Sequence, residues 1–252
     1  MARPVTQGGT PISRVQRLRY LRPLIGLLSF WLGLVPVKAS GGAWVPPPQT
    51  GIIIANLVEV ESDQGPPGAS FEIYAEYGFK PGWAAILTPS WSQSVQTQST
   101  NWMADEVLVG LRRKLWVRES LAISSQISAF SIPSANNETA RTYGIESRLA
   151  VGKSFGDKAW VNVEAASRTC GQTGVGSRFD ATFSYKLEEG QRLIVKAFGD
   201  GNGCIKPIVR AQISYVRPVS DTLSVEIGWR EALSESSELA DRGFVIGLWQ
   251  KF

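Results

Sequence analysis

The sequence contains no histidine, and this absence limits the chemistry open to the chain. No other side chain titrates near neutral pH without a large shift, so neither a Ser–His nor an Asp–His catalytic unit can be assembled. Zinc sites lose their commonest ligand, and two cysteines are too few for a structural zinc cluster. The sequence therefore predicts no catalytic residue, no metal site and no cofactor, and we expect that the protein is not an enzyme.

Acidic residues are absent from the first 39 positions, which carry six basic residues and then an apolar run over residues 24–37. The run is short for a helical membrane span but suits the core of a signal peptide. Val37 and Ala39 are small residues at the spacing that signal peptidase requires. We predict a signal peptide over residues 1–39, in preference to an amino-terminal membrane anchor.

Removing this signal changes the charge of the protein. The whole chain has 26 basic and 22 acidic residues, a net charge of +4. Without the six basic residues of the signal, 20 basic residues stand against the same 22 acidic ones, a net charge of −2. The mature chain therefore lacks the basic surface that nucleic-acid binding needs, and we expect no nucleic-acid partner.

The mature chain begins with a proline-rich leader, residues 40–50, in which Pro46, Pro47 and Pro48 remove three backbone donors. We interpret this leader as an extended linker in preference to a plug. From residue 51 to residue 252, apolar and polar residues alternate in about twelve segments of the length that a tilted membrane strand requires. The predicted strands are residues 51–61, 70–79, 83–93, 103–113, 119–130, 142–152, 159–168, 178–187, 192–198, 208–217, 222–230 and 243–252.

The last segment ends the chain on an aromatic residue. Phe244, Ile246, Leu248 and Phe252 share one face of this predicted strand. The pattern resembles the closing strand of Gram-negative outer-membrane β-barrel proteins of the channel or porin type, although Gln250 departs from it. In that family the terminal aromatic residue is read by the barrel-assembly machinery, and the resemblance implies this role for Phe252.

Short and long connections alternate between the predicted strands. Tight links such as residues 80–82 and 188–190 occur on one rim, and longer polar links such as 94–102 and 199–206 on the other. This asymmetry is typical of a transmembrane up-and-down antiparallel β-barrel. The sequence thus predicts an all-β outer-membrane barrel of about twelve strands over residues 51–252, located in the cell outer membrane among its lipids.

The two cysteines, Cys170 and Cys204, fall in predicted Gly-rich loops on the same rim. An exported protein folds in an oxidising compartment, and such loops can bend to the Cα separation that a disulfide tolerates. We predict a Cys170–Cys204 disulfide, with two free thiols on separate loops as the alternative.

Polar faces of the predicted strands would line the lumen and form a candidate pore. Their charges are mixed in sign, which suits either a structural filling of acid–base pairs or a selective lining. The candidate residues are Glu72, Glu76, Glu106, Arg112, Glu146, Arg148, Glu164, Arg178, Asp180, Lys186, Lys196, Arg210, Glu226 and Arg230.

The preferred interpretation of function is a passive transport channel for small-molecule solutes. The resemblance extends to outer-membrane families proposed to pass hydrophobic or aromatic compounds, and implies that solute class. Two alternatives stay open: a non-conducting structural or surface-interaction barrel, and a soluble secreted β-barrel that binds a ligand inside.

Overall fold

The computed structural model describes residues 42–60, 68–93, 102–134, 137–170, 174–201, 207–233 and 242–252. The predicted signal peptide, residues 1–39, lies outside these ranges. The described residues form twelve strands and a short 3₁₀ turn at Glu188–Gly190. The strands are β1 (Thr50–Val60), β2 (Gly68–Lys80), β3 (Trp83–Gln93), β4 (Trp102–Arg118), β5 (Leu121–Ser134), β6 (Asn137–Phe155), β7 (Ala159–Cys170), β8 (Gly174–Lys186), β9 (Arg192–Asp200), β10 (Ile208–Pro218), β11 (Leu223–Ala232) and β12 (Gly243–Lys251).

Each strand pairs antiparallel with its neighbour in the chain, and β1 pairs with β12 to close the barrel. The closing register sets Ile52 opposite Lys251 and Val58 opposite Val245. Closure removes the free strand edges that would otherwise be left without backbone partners. The predicted all-β up-and-down barrel of twelve strands is confirmed.

Apolar side chains alternate between an exposed outer position and the interior, as the period-two pattern predicts. On β11, Ile227 is 59% exposed while Glu226 beside it is buried. On β12, Phe244 and Ile246 are exposed while Val245 between them is fully buried. The exposed side of the wall is therefore apolar, which is the surface that contact with lipid requires.

The interior is not polar throughout. Ile86, Leu108, Phe130 and Ile132 form a buried cluster on the inner side of β3 to β5, with Tyr74 packed against it. These side chains fill that part of the lumen as an ordinary protein core. Apolar residues thus occur on both faces of β3 to β5, so the sequence rule of apolar outside and polar inside applies only in part.

Two predicted connections are strand in the structure. β4 continues to Arg118, so the turn to β5 is Glu119–Ser120, whereas the sequence suggested a link over residues 114–118. A register shift between Lys114 and Trp116 exchanges the two faces of β4, which explains why the alternation was not recognised there. On the opposite rim, β6 begins at Asn137 and shortens the loop predicted for residues 131–141.

Two further predictions concern the terminal Phe252 and the two cysteines. Phe252 exchanges backbone hydrogen bonds with Gly51 at 2.8 and 3.2 Å and its ring stacks on Tyr77, with 6.1 Å between centroids. These contacts place Phe252 in the wall, and its role as an assembly signal stays a prediction. Cys204 and the side chain of Cys170 lie outside the described residues, so the disulfide also stays a prediction.

The facing of β8 gives a matched test, because Thr182 and Phe183 are adjacent in the chain and lie at the same depth. Phe183 is exposed in a row with Val161 and Val195, whereas Thr182 is buried inside beside Asp180. A cation on the lipid face near mid-depth costs roughly 2–4 kcal/mol. We therefore expect Phe183→Arg to reduce the yield of folded barrel strongly, while Thr182→Arg, whose guanidinium meets Asp180, assembles. Heat-modifiable migration of membrane fractions measures the folded yield, and equal yields would contradict the facing.

Candidate functional site in the barrel lumen

Charged side chains from strands that are not neighbours meet inside the barrel, and this makes the lumen the candidate site. Arg178 of β8 donates from both Nη atoms to the two carboxylate oxygens of Glu106 of β4, each at 3.0 Å. Three strands separate β4 from β8, so the contact crosses the lumen. Arg230 of β11 reaches Glu72 of β2 in the same bidentate manner, at 2.6 and 2.9 Å, across the closing strands β12 and β1.

The contact between Arg178 and Glu106 belongs to a larger group of charges, the Glu106 cluster, formed by Glu106, Arg168, Arg178 and Asp200. Arg168 donates to Glu106 at 2.7 Å and lies 3.5 Å from Asp200, while Arg178 donates to Asp200 at 2.7 Å. Arg168 is 1% exposed, and its guanidinium lies over the ring of Phe130 at 4.1 Å. Two guanidinium groups share two carboxylates, so each buried charge has a partner of opposite sign.

A second group, the Arg112 cluster, consists of Arg112, Glu76, Gln126 and Glu164. Arg112 is 2% exposed and donates to Oε1 of Gln126 from Nη2 at 2.7 Å and from Nε at 3.1 Å. Glu76 and Glu164 lie 3.5 and 3.6 Å from the guanidinium. The remaining donor, Nη1, reaches the carbonyl oxygen of Gly42 at 2.7 Å, so this cluster also holds the chain that precedes β1.

Arg148 joins the two clusters along β6 and β7. Its guanidinium contacts Glu146 and Glu164, both at 2.8 Å. Glu146 is fully buried and in turn lies 2.9 Å from Nε of Arg168. The result is a continuous path of alternating charges from Arg112 to the Glu106 cluster, so removing one member leaves several others without compensation.

The leader enters the lumen from the rim with the short turns. Ala43 is fully buried against Ala122 and Ala150, and its N–H donates to Oδ1 of Asn162 at 2.9 Å. Trp44 packs edge-on against Trp160, with 5.9 Å between ring centroids. The leader therefore occupies the lumen beside β5, β6 and β7.

This placement corrects the interpretation of the leader as a plain linker. Residues 42–46 contact side chains of four strands inside the barrel and so occlude part of it. The three prolines cannot donate backbone hydrogen bonds, but this does not prevent the leader from entering the barrel. The next residue, Gln49, donates its backbone N–H to the carbonyl oxygen of Gly78 at 2.6 Å.

On the opposite side of the lumen, β10, β11 and β12 carry a hydrogen-bonded group around Glu226. Glu226 is fully buried and accepts from the indole of Trp249 at 2.6 Å and from Nε2 of Gln212 at 3.0 Å. The other amide atom of Gln212, Oε1, accepts from Nε of Arg230 at 3.0 Å. Neutral side chains thus donate to Glu226, which has no ion-pair partner among the described residues, and supply a further acceptor to Arg230.

Four candidate residues lie outside these groups. Asp180 accepts a hydrogen bond from Oγ1 of Thr182 at 3.0 Å and is half-buried. Lys196 and Arg210 occupy inward positions of β9 and β10 and are also half-buried. Lys186 is exposed at the end of β8, next to the short turn, so it lies at the mouth of the barrel and not in its depth.

Two residues of the Glu106 cluster were missed in the sequence. Arg168 stands at the end of its predicted strand. The sequence places Asp200 in a loop, because the predicted strand ends at residue 198 whereas β9 continues to Asp200. A signal for Arg168 was present, since it has the parity of Glu164 on the same strand. With both included, the inward charges of the described strands nearly balance: Arg112, Arg148, Arg168, Arg178, Arg192, Lys196, Arg210 and Arg230 face Glu72, Glu76, Glu106, Glu146, Glu164, Asp180, Asp200 and Glu226.

Comparison with solved structures finds outer-membrane channels of the same fold. The COG4313 outer membrane channel from Pseudomonas putida F1 superposes with a TM-score of 0.59 at 10% identity, covering 86% of this chain and 100% of that one. The KdgM porin gives a TM-score of 0.57 at 9% identity, covering 81% and 99% of the two chains. The NanC porin gives 0.56 at 9% identity, covering 80% and 100%.

At these identities the likeness establishes the fold and leaves the solute open. No protein-family model matches the sequence, and no curated protein matches it either. The predicted resemblance to outer-membrane barrels of the channel and porin type is confirmed at the level of architecture, with no specific family identified.

The Arg112 cluster predicts a large loss of stability on removal of its cation. Arg112→Met leaves Glu76, Glu164 and the Gly42 carbonyl without their shared donor, and breaking a buried pair in this way costs roughly 3–5 kcal/mol. Urea unfolding in lipid vesicles measures the loss. The matched control is Arg118→Met, whose pair with Glu119 is 75% and 84% exposed and contributes little. Equal midpoints for both variants would contradict the structural role of the cluster.

Proposed function

We propose that this chain is a non-enzymatic, passive channel for small solutes in the outer membrane of a Gram-negative cell. The observation that carries the proposal is the closed barrel with an apolar exterior and a charged interior that water reaches. Side chains within the lumen keep measurable exposure, 35% for Glu72 and 24% for Arg178. Outer-membrane lipid is then the surrounding partner, and insertion requires the barrel-assembly machinery to recognise the end of the chain at Phe252.

The space that the leader and the ion pairs leave in the lumen limits the size of the solutes that can pass. The leader fills the lumen beside β5 to β7, near the rim with the short turns. The Glu106 cluster bridges β4 to β8 nearer to the opposite rim. The leader does not contact β8 to β10, where Asp180, Lys196 and Arg210 are half-buried among buried neighbours such as Thr182, Ser184 and Gln212. The channel is therefore narrow and selects solutes by size. The near balance of interior charges gives it little preference for ions of one sign.

Hydrophobic or aromatic compounds are the finer proposal for the solute. Tyr74, Trp160 and Phe198 point inward, and Trp44 of the leader adds a fourth ring. Such rings offer apolar contact along a path that is otherwise charged. The related folds support a channel in general, and one of them, the KdgM porin, has been solved in complex with disordered oligogalacturonate.

A non-conducting structural barrel is the second candidate, and the leader favours it. If residues 42–46 stay in place, the lumen is blocked on one side and ion pairs fill much of the rest. A soluble secreted ligand-binding barrel is disfavoured, because its outer surface would not expose residues such as Ile127, Val163 and Ile213.

Single-channel recording in planar bilayers separates these candidates. We expect the mature chain to show small, discrete conductance, and a variant lacking residues 40–46 to conduct more, because the leader no longer occupies the lumen. The matched control replaces residues 42–46 by Gly and Ser, which keeps the length but removes Trp44 and its packing. A folded barrel that is silent with and without the leader would refute the channel and favour the structural role.

A further inference from the structure

Asp180 and Lys196 are interior charges of opposite sign on neighbouring strands, and neither has an ion-pair partner within 4 Å among the described residues. Asp180 has only the hydroxyl of Thr182 at hydrogen-bond distance, and Lys196 has no such contact within the described part of the chain. In contrast, Arg112 and Arg178 each contact two carboxylates, and Arg168 contacts three. Both groups, Asp180 and Lys196, are half-buried, so water reaches them.

Asp180 and Lys196 lie on adjacent strands at one level of the lumen. The register pairs Thr182 with Lys196 and Asp180 with Phe198, so the two charges are diagonal neighbours on the inner face. Diagonal positions lie about 7–8 Å apart with their Cβ atoms somewhat closer, so one small molecule can contact both charged groups at once.

The pair lies next to the part of the wall that holds the leader. Asn162, which holds the leader through the Ala43 N–H, is opposite Thr182 in the register, and Thr182 is opposite Lys196. The leader itself contacts β4 to β7, so a solute that passes it moves along the β8 and β9 side. Asp180 and Lys196 are half-buried charged groups on that part of the wall.

We infer that Asp180 and Lys196 form a solute-contacting pair that selects small zwitterions. This inference rests on the proposed channel function and deepens it. The ammonium group of the solute faces Asp180, and its carboxylate faces Lys196. Phe198, beside Asp180 in the register, has the guanidinium of Arg230 over its ring at 5.1 Å and provides the nearest aromatic surface for an apolar or aromatic side chain of the same solute. A free α-amino acid with an aromatic side chain has all three features.

The test measures liposome uptake of three solutes that share one skeleton: phenylalanine, phenethylammonium and phenylpropionate. The variants are Asp180→Asn, Lys196→Gln and the charge exchange Asp180→Lys with Lys196→Asp. Glu119→Gln and Lys153→Gln remove the same charges from exposed positions at the short-turn rim and serve as matched controls. Folded barrel is quantified for each by heat-modifiable migration.

We expect each single lumen variant to lower phenylalanine uptake by roughly threefold, as loss of one charged contact in a water-reachable site implies. Asp180→Asn also favours phenylpropionate over phenethylammonium, Lys196→Gln does the reverse, and the charge exchange restores phenylalanine uptake. Normal uptake of all three solutes by both single variants would overturn the pair while leaving the channel intact. No uptake of any solute by the folded wild-type barrel would overturn the channel itself and the inference with it.

Discussion

Compensation of charge inside the barrel is the constraint on which the rest of this structure depends. Each arginine that the fold buries in the lumen must find a carboxylate or a carbonyl oxygen there, because the wall supplies only backbone groups that are already paired. Glu106 meets this need for Arg168 and Arg178 at once, and Asp200 completes the cluster. Because these contacts join β4, β7, β8 and β9, they restrain opposite sides of the barrel.

The leader, which is not part of the barrel wall, also supplies a partner for a buried charge. The carbonyl oxygen of Gly42 accepts a hydrogen bond from Nη1 of Arg112, and Oδ1 of Asn162 accepts one from the N–H of Ala43. Gly42 has a φ of +79°, and a side chain there would collide with Asn162, so glycine is required at this point. A side chain at Gly152 would likewise displace the ring of Trp44. The occluding segment is thus fitted to the wall.

The strands and their facing could be predicted because alternation is a local property of the sequence. Phe244, Val245 and Ile246 illustrate it, since each occupies the face that its parity assigns. The position of the leader could not be predicted in this way. It depends on hydrogen bonds to Arg112 and Asn162, which lie 70 and 119 residues further along the chain. The pairing of particular charges also depends on which strands face each other across the lumen, a consequence of closure that no local pattern contains.

A double-mutant cycle between Glu72 and Arg230 tests most directly whether charges paired across the lumen stabilise the barrel. Their bidentate contact spans the closing strands β12 and β1. Unfolding free energies in lipid vesicles are measured for the wild type, Glu72→Gln, Arg230→Met and the double variant. If the cross-lumen pair stabilises the barrel, the losses of unfolding free energy in the two single variants are not additive, and the coupling is favourable by about 1 kcal/mol or more. Additive losses, with a coupling indistinguishable from zero, would contradict it.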